Sequence, residues 1–104
     1  MLRIYSFILE VLRKIAPLIR AIAKHDPDLA KQLRRSASSM ALNTAEGSGS
    51  RGGNIRARFN DALASTRETR ANLDVAVVWS YIEADPQLRD DLDRIAATLF
   101  RLTE

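Results

Sequence analysis

The sequence predicts an all-α protein, an up-down-up-down antiparallel four-helix bundle with a long third helix. Four stretches place apolar residues three and four positions apart, the spacing of an amphipathic helix. Short segments join these stretches, which makes neighbouring helices antiparallel. Two of the segments contain Asp-Pro, a pair that starts a helix because aspartate caps its first turn and proline fits there. With 104 residues and no cysteine, we expect residues 1–104 to form one domain without disulfides.

The first helix is predicted over about residues 2–24 and the second over about residues 27–46. In the first helix two adjacent apolar stripes leave only a narrow polar face, and Pro17 should bend the helix without ending it. In the second helix an apolar stripe runs beside a stripe of polar residues, which are Gln32, Ser36, Ser39, Asn43 and Glu46. We expect this helix to end at Glu46, with Gly47 as a left-handed cap.

The third helix is predicted over about residues 54–82 and the fourth over about residues 86–102. At 1.5 Å per residue the third would be roughly 45 Å long and the fourth roughly 25 Å, so the third should overhang its neighbours. Between Leu73 and Ile82 only two residues are polar, which predicts burial on several sides. The surplus apolar surface predicts a homo-oligomer.

The segment "GSGSRGG", residues 47–53, matches the dinucleotide-binding pattern G-x-G-x-x-G. That pattern binds pyrophosphate only where a strand leads into it within a parallel βαβ unit, and here a helix precedes it. It also lacks the lysine and hydroxyl residue of a phosphate-binding P-loop. We therefore expect a loop that reverses the chain into Asn54, a plausible N-cap, and only Arg51 remains a candidate for contact with phosphate.

The sequence predicts no catalytic, cofactor or metal site. His25 is the single histidine and lies in a turn, and no serine has a histidine or lysine base at a recognisable spacing. Glu46 and Glu68 could form a carboxylate pair, although ion pairs with nearby arginines are the more common arrangement in a bundle. We therefore expect a protein that is not an enzyme and has no cofactor, metal or small-molecule substrate.

The N-terminal apolar stretch is predicted to be neither a signal peptide nor a membrane span. Glu10, Arg13 and Lys14 interrupt it before any cleavage site made of small residues. An amphipathic helix on a membrane surface is the alternative, but such helices usually carry a stronger basic face. We expect a cytoplasmic protein without membrane contact.

A polar seam is predicted between the second and third helices. A carboxylate in the last turn of a helix opposes the helix dipole, so Glu46 needs a cationic or amide partner. If the two helices are antiparallel, Asn43 and Glu46 meet the first turns of the third helix, where Arg56, Arg58 or free N–H groups can partner Glu46. Farther along, Ser65, Glu68 and Asn72 form a matching patch that would place Glu68 near Ser36, Ser39 or Arg35.

The formal net charge of +3 is unevenly distributed along the chain. Residues 1–72 hold thirteen Lys and Arg against six Asp and Glu, a net of +7, and residues 73–104 hold three against seven, a net of −4. Arginine suits bidentate contact with phosphate. The candidate residues for nucleic-acid contact are Arg34, Arg51, Arg56, Arg58, Arg67 and Arg70. The alternative is that they are solvated or pair with acidic residues of neighbouring subunits.

The segment "QLRRSASSMALNTAEGSGSR", residues 32–51, resembles the signature of a bacterial four-helix-bundle family first noticed as proteins encoded in intervening sequences of 23S ribosomal RNA genes. Its Q-L-R-R and N-x-x-E-G elements carry the match. "FNDALASTRETRANLDVA", residues 59–76, is similar to the family's aromatic residue, A-x-G-S-x-x-E element and apolar helix. One departure is Ala64, where the family usually has glycine. The first and last helices fit in pattern only.

This resemblance implies an antiparallel bundle that assembles into a ring, commonly a homopentamer, with no known catalysis. A related member, the accessory variability determinant of diversity-generating retroelements, is a basic pentamer that partners a reverse transcriptase and its RNA. The implied partners are further copies of the chain, and structured RNA or a reverse transcriptase. The alternative is a protein-interaction module without nucleic-acid contact. The residues at motif positions, with implied structural or interface roles, are Arg35, Asn43, Glu46, Gly47, Ser65 and Glu68.

Overall fold

A computed structural model describes residues 3–49 and 54–104, which form one four-helix bundle. Each helix packs against the next one in the chain, and the fourth also contacts the first, so the predicted antiparallel bundle is confirmed. The described residues contain no strand. The bundle measures 43 × 23 × 19 Å. Its helices are α1 (Arg3–Ala23), α2 (Pro27–Gly49), α3 (Asn54–Val78) and α4 (Pro86–Thr103).

The core combines branched apolar residues from the outer pair of helices with small residues from the inner pair. α1 buries an apolar residue every three or four positions, as an amphipathic helix must. α2 and α3 instead contribute alanines, threonines and a serine where they meet, and this pair makes the most extensive contact in the bundle. Small side chains let two helix backbones approach closely, so the centre of the molecule is the interface between α2 and α3.

Both predicted Asp-Pro helix starts are present. The Asp26 side chain accepts a hydrogen bond from the backbone N–H of Leu29 at 3.0 Å. The Asp85 side chain accepts one from Leu88 N–H, also at 3.0 Å. Each bond satisfies one of the free N–H groups in the first turn, so each helix begins at the proline that follows its aspartate.

The prediction that α2 ends at Glu46 with Gly47 as a left-handed cap is wrong. α2 continues to Gly49, and Gly47 is a buried helical residue. A Cβ atom at Gly47 would lie 2.8 Å from Cε1 of Phe59, so the missing side chain makes room for an aromatic ring of α3. The predicted reversal loop through residues 50–53, with Arg51, lies outside the described residues.

The prediction that α3 reaches residue 82 is also wrong, because a turn ends it at Val78. Tyr81 N–H donates to the Ala76 carbonyl and Ser80 N–H to the Val77 carbonyl, both at 2.9 Å. These two bonds form a Schellman motif, which needs a left-handed residue, and Ser80 has a φ of 62°. At 25 residues α3 is about 38 Å long, close to the 23-residue α2, so the expected overhang is small.

The apolar residues near the end of α3 are only partly buried: Leu73 and Ala76 lie in the core, as predicted, but three others are exposed. Val78 is 79 % exposed, Trp79 64 % and Val75 42 %. Part of the surplus apolar surface therefore lies on the outward side of α3 near the turn, and Leu42 of α2 and Phe100 of α4 are also exposed. The first and fourth helices end within one residue of their predicted limits. Over the two described ranges, no helix is long and apolar enough to cross a bilayer.

Candidate functional site

The predicted polar seam lies between α2 and α3 and is centred on Ser36. Thr69 Oγ1 lies 3.0 Å from Ser36 Oγ, and Asn72 Nδ2 donates to the same oxygen at 3.2 Å. Ser36 Oγ is also 3.1 Å from the Leu33 carbonyl in its own helix. All three polar side chains are buried, so these bonds replace the water that the groups lost on folding.

A second cluster of hydrogen bonds lies farther along the seam around Ser39. Ser65 Oγ donates to Ser39 Oγ at 2.9 Å, and Asn43 Nδ2 donates to the same oxygen, also at 2.9 Å. Asn43 also donates to the Ser39 carbonyl at 3.1 Å. Ser65 therefore links α3 to Ser39 of α2, and Asn43 bonds to the same serine within α2.

The buried polar side-chain atoms of the seam are all engaged in hydrogen bonds. Within residues 3–49 and 54–104, no buried side-chain nitrogen or oxygen lacks a hydrogen-bond partner. Sequence reasoning missed Thr69, which hydrogen bonds to Ser36. Its position was available in the sequence, because Ser65, Thr69 and Asn72 are spaced by four and three and share one face of a helix. The hydrogen bonds of the seam therefore specify how α2 and α3 pack against each other.

Glu46, near the C-terminal end of α2, forms the predicted ion pair with an arginine. Arg58 Nε lies 3.3 Å from Glu46 Oε2, which joins the last turns of α2 to the first turns of α3. Arg58 also lies 3.9 Å from Asp61 in its own helix. Both members of the Glu46 pair are about half exposed, so solvent screens the attraction and its contribution to stability is at most about 1 kcal/mol.

Glu68 makes none of the hydrogen bonds across the seam, and its expected position near Ser36, Ser39 or Arg35 stays a prediction. Ser65, Thr69 and Asn72 make the hydrogen bonds with α2, and Glu68 is exposed beside them. Neither Glu68 nor Arg35 makes an ion pair with any residue that the structure describes. Both charged groups are on the surface.

The six candidate arginines divide into three sets. Arg58 and Arg70 are engaged, the first with Glu46 and the second with Asp93. Arg51 lies outside the described residues. The remaining set is exposed and pairs with no acidic residue in the described part of the chain. We call it the free arginines: Arg34, Arg56 and Arg67.

The acidic C-terminal third of the chain neutralises part of the basic remainder. Asp93 of α4 pairs with Arg70 and Asp74 of α3 pairs with Arg89, each joining these two helices. Across the other side of α4, Lys14 Nζ lies 2.8 Å from Asp91 Oδ2. The uneven charge of the sequence is thus partly cancelled inside the bundle, and the free arginines are part of the positive charge that remains.

Asp91 is a buried carboxylate that keeps its charge. Burial by itself raises the pKa of Asp91, but hydrogen bonds from Lys14 and Gln87 outweigh burial and lower the pKa below its ordinary 3.8. The same bond to Asp91 raises the pKa of Lys14. The ion pair of Lys14 and Asp91 therefore links α1 to α4.

The described residues offer no metal centre, since no three His, Asp or Glu side chains are placed to hold an ion. His25 stacks on Tyr81 with ring centroids 5.2 Å apart, which joins the two turns at one end of the bundle. An open apolar groove of about 480 Å³ lies between α1, α3 and α4. The arginines lining it, Arg70 and Arg89, pair with Asp93 and Asp74, and most of the other lining residues are apolar.

The fold and the saturated seam define an antiparallel four-helix bundle whose buried polar groups serve packing. The model of the 23S rRNA-intervening sequence protein family matches residues 2–101, and the chain belongs to that family. The fold is similar to the crystal structure of a protein of unknown function from the S23 ribosomal protein family of Bacteroides thetaiotaomicron. That likeness has a TM-score of 0.88 and 21 % identity, over 97 % of this chain and 98 % of the other. No curated protein gives a significant match.

Proposed function

We propose that this protein is a non-enzymatic scaffold that assembles into a ring, with a pentamer favoured, and binds RNA through its basic surface. The partner is structured RNA or a protein that handles RNA, such as a reverse transcriptase, and the protein acts in the cytoplasm. The accessory variability determinant of diversity-generating retroelements is the functional parallel. No cofactor or small-molecule substrate enters this proposal.

The free arginines are the observation that supports RNA binding. Arg34, Arg56 and Arg67 are exposed, and within the described residues none pairs with an acidic side chain. Unpaired guanidinium groups are available to phosphate oxygens without first breaking an internal ion pair. In a ring each arginine is repeated in every subunit, so a modest charge per chain becomes a strong local field. Few aromatic residues are present for base stacking, so the contacts would be to phosphates.

Fluorescence anisotropy with a labelled structured RNA at two salt concentrations tests this proposal. We expect binding at low salt that weakens steeply at higher salt, because arginine contacts release counterions from the RNA. A triple variant, Arg34→Gln, Arg56→Gln and Arg67→Gln, should lose most of that affinity. Absence of binding at low salt by the unaltered protein would contradict RNA binding.

A matched control removes the same charge from another helix. The variant Arg3→Gln, Arg13→Gln and Arg20→Gln also loses three exposed arginines, all on α1. If RNA recognition depends on the free arginines and not on net charge, this control should bind much more tightly than the triple variant. Light scattering on every variant shows whether an affinity change comes with a change of assembly.

A protein-interaction module without nucleic-acid contact is the second candidate. The exposed Val78 and Trp79 support it, since large apolar side chains on a surface often mark a protein contact. Under this alternative the ring presents one face to a protein partner, and the anisotropy titration shows no RNA binding although light scattering still shows a ring.

A further inference from the structure

The outward face of α3 carries a line of small and apolar residues, with polar and charged residues between them. Ala57, Ala64, Ala71 and Val78 are all exposed, and they recur every seven residues. A seven-residue interval keeps side chains along one side of a helix, with slight drift. Val75 and Trp79 widen the strip at its C-terminal end. We call these six residues the α3 strip.

Opposite charges border the α3 strip on its two sides. Asp61 and Glu68 follow the strip alanines by four positions and lie on the edge nearer α2. Arg67 follows by three positions and lies with Arg56 on the edge nearer α4. All four residues are exposed. Asp74 lies on the edge nearer α4 too, where it pairs with Arg89. Within the described residues Arg56, Arg67 and Glu68 have no ion-pair partner, so both edges have charges to offer to another molecule.

We propose that the α3 strip packs against a second copy of this chain, with the two α3 helices parallel. The acidic edge of one copy then meets the basic edge of the next, and Glu68 pairs with Arg67 of the neighbouring copy. In parallel packing opposite edges of two like helices meet, whereas antiparallel packing brings like edges together. The charges therefore favour the parallel arrangement, which is the one that a ring with its axis along the helices requires.

The sizes of the side chains in the α3 strip suit packing against a second copy of the chain. Alanines at the centre of the strip permit close approach of two helices, and the large residues at its C-terminal end supply the apolar contact. Tryptophan is the residue type most often found to dominate binding energy at protein interfaces. Trp79 is 64 % exposed in the single subunit, so assembly can bury a large part of its side chain.

This inference rests on the assembly in the proposed function and divides the free arginines by role. Arg56 and Arg67 border the α3 strip and would lie between subunits. Arg34 lies two residues before the seam residue Ser36, about 200° around α2 from it, and so faces away from the interface between α2 and α3. Arg34 therefore remains open to RNA in the ring.

Charge exchange at one pair of positions tests the parallel arrangement. In Glu68→Arg two arginines would face each other across every interface, and in Arg67→Glu two glutamates would. We expect each single variant to lower the assembled fraction at least tenfold at a concentration where the unaltered protein is fully assembled. The double variant E68R/R67E restores opposite charges and should reassemble. Light scattering measures the mass, and circular dichroism checks the fold.

The single tryptophan gives an independent readout of the same contact. Trp79 is the only tryptophan in the chain. Its emission should move to shorter wavelength as the protein is concentrated through its assembly range, and Arg67→Glu should abolish that shift. Ala71→Arg should block assembly because a long side chain fills the strip. Ala97→Arg, on an exposed alanine of α4, is the matched control and should assemble normally.

The outcomes separate this inference from the proposed function. A protein that stays monomeric at every concentration, with a mass of 11.6 kDa, would contradict the assembly itself and this interface with it. A protein that assembles normally in both single charge variants, with unchanged Trp79 emission, would overturn only the α3 interface. Failure of the double variant to reassemble would likewise overturn the parallel pairing.

Discussion

At the scale of single residues, two glycines two positions apart in α2 have opposite roles. A Cβ at Gly47 would approach the ring of Phe59 within 2.8 Å, and that ring is buried. A Cβ at Gly49 would meet nothing within 4 Å. Alanine is the better helix former at both positions, by up to about 1 kcal/mol. The two substitutions should therefore differ in sign.

We predict that Gly47→Ala destabilises the protein by about 1 kcal/mol, because an overpacking cost of about 1–3 kcal/mol exceeds the gain in helix propensity. Gly49→Ala should be neutral or stabilising by a few tenths of a kcal/mol, because the end of a helix gains less than its middle. Urea unfolding of both variants measures the difference. A Gly47→Ala protein as stable as the Gly49→Ala protein would show that Phe59 can move.

The backbone of Ser80 is strained, and glycine at this position would relieve the strain. Its φ of 62° lies in the left-handed region, which costs a residue with a side chain about 1 kcal/mol or more. We predict that Ser80→Gly raises the free energy of unfolding by about 0.5–1 kcal/mol. Ser38→Gly, at an exposed position inside α2, should lower it by a similar amount, since glycine disfavours a helix interior. Thermal unfolding of both variants checks the two signs.

At the scale of helices, α1 and α4 share the least extensive of the four neighbouring contacts in the bundle, and the pair of Lys14 and Asp91 ties them together. Because folding lowers the pKa of Asp91, the carboxylate stabilises the fold above its ordinary value of 3.8. That contribution is lost as the pH falls through the lower, folded pKa. The raised pKa of Lys14 has the opposite sign, since its contribution is present below 10.5 and is lost as the pH rises past the folded value.

We predict that Asp91→Asn lowers the free energy of unfolding at pH 7 and that the deficit shrinks towards pH 2. The deficit shrinks because the unaltered Asp91 also becomes neutral there and loses its charge-assisted bond to Lys14. Asp90→Asn makes the same change of charge at an exposed neighbour and should have little effect. Urea unfolding at pH 7 and pH 2.5 gives both differences, and a deficit of constant size would exclude ionisation of Asp91 as its cause.

The sequence predicts the helices and their starts well because these depend on local chemistry. Asp26 and Asp85 cap helices with their own side chains, so the residues near them in sequence determine the outcome. Two helix ends were mispredicted because they depend on distant neighbours or unusual backbone. Gly47 stays helical because Phe59 packs on it, and Ser80 adopts the conformation usually left to glycine.

The candidate site shows the same division between local and distant information. The polar stripe of α2 predicts that its partner helix is polar, and Asn43 and Ser65 do lie in the seam. Whether Glu68 or Thr69 enters the seam depends on a rotation of α3 by one residue, about 100°, which spacing alone does not fix. The seam hydroxyls occupy that space, and the charged Glu68 is left on the surface.

At the scale of the whole molecule, the acidic residues of α4 and the end of α3 neutralise three cations of the bundle, and the free arginines remain on the outside. If Arg67 pairs between copies, its loss should weaken RNA binding only by dispersing the ring. Arg34 should contribute to RNA binding without affecting assembly. Single substitutions can therefore separate the two proposed properties of the surface, which are assembly and RNA binding.

We predict that Arg34→Gln leaves the mass of the assembly unchanged and weakens RNA binding. Each phosphate contact contributes about −0.7 to −0.9 to the slope of log K against log salt, so a ring that loses several Arg34 contacts at once should show a visibly shallower slope. Arg13→Gln, which removes an exposed arginine of α1, is the single-site control and should keep the slope of the unaltered protein. An Arg34→Gln ring with an unchanged slope would place the RNA contacts elsewhere on the surface.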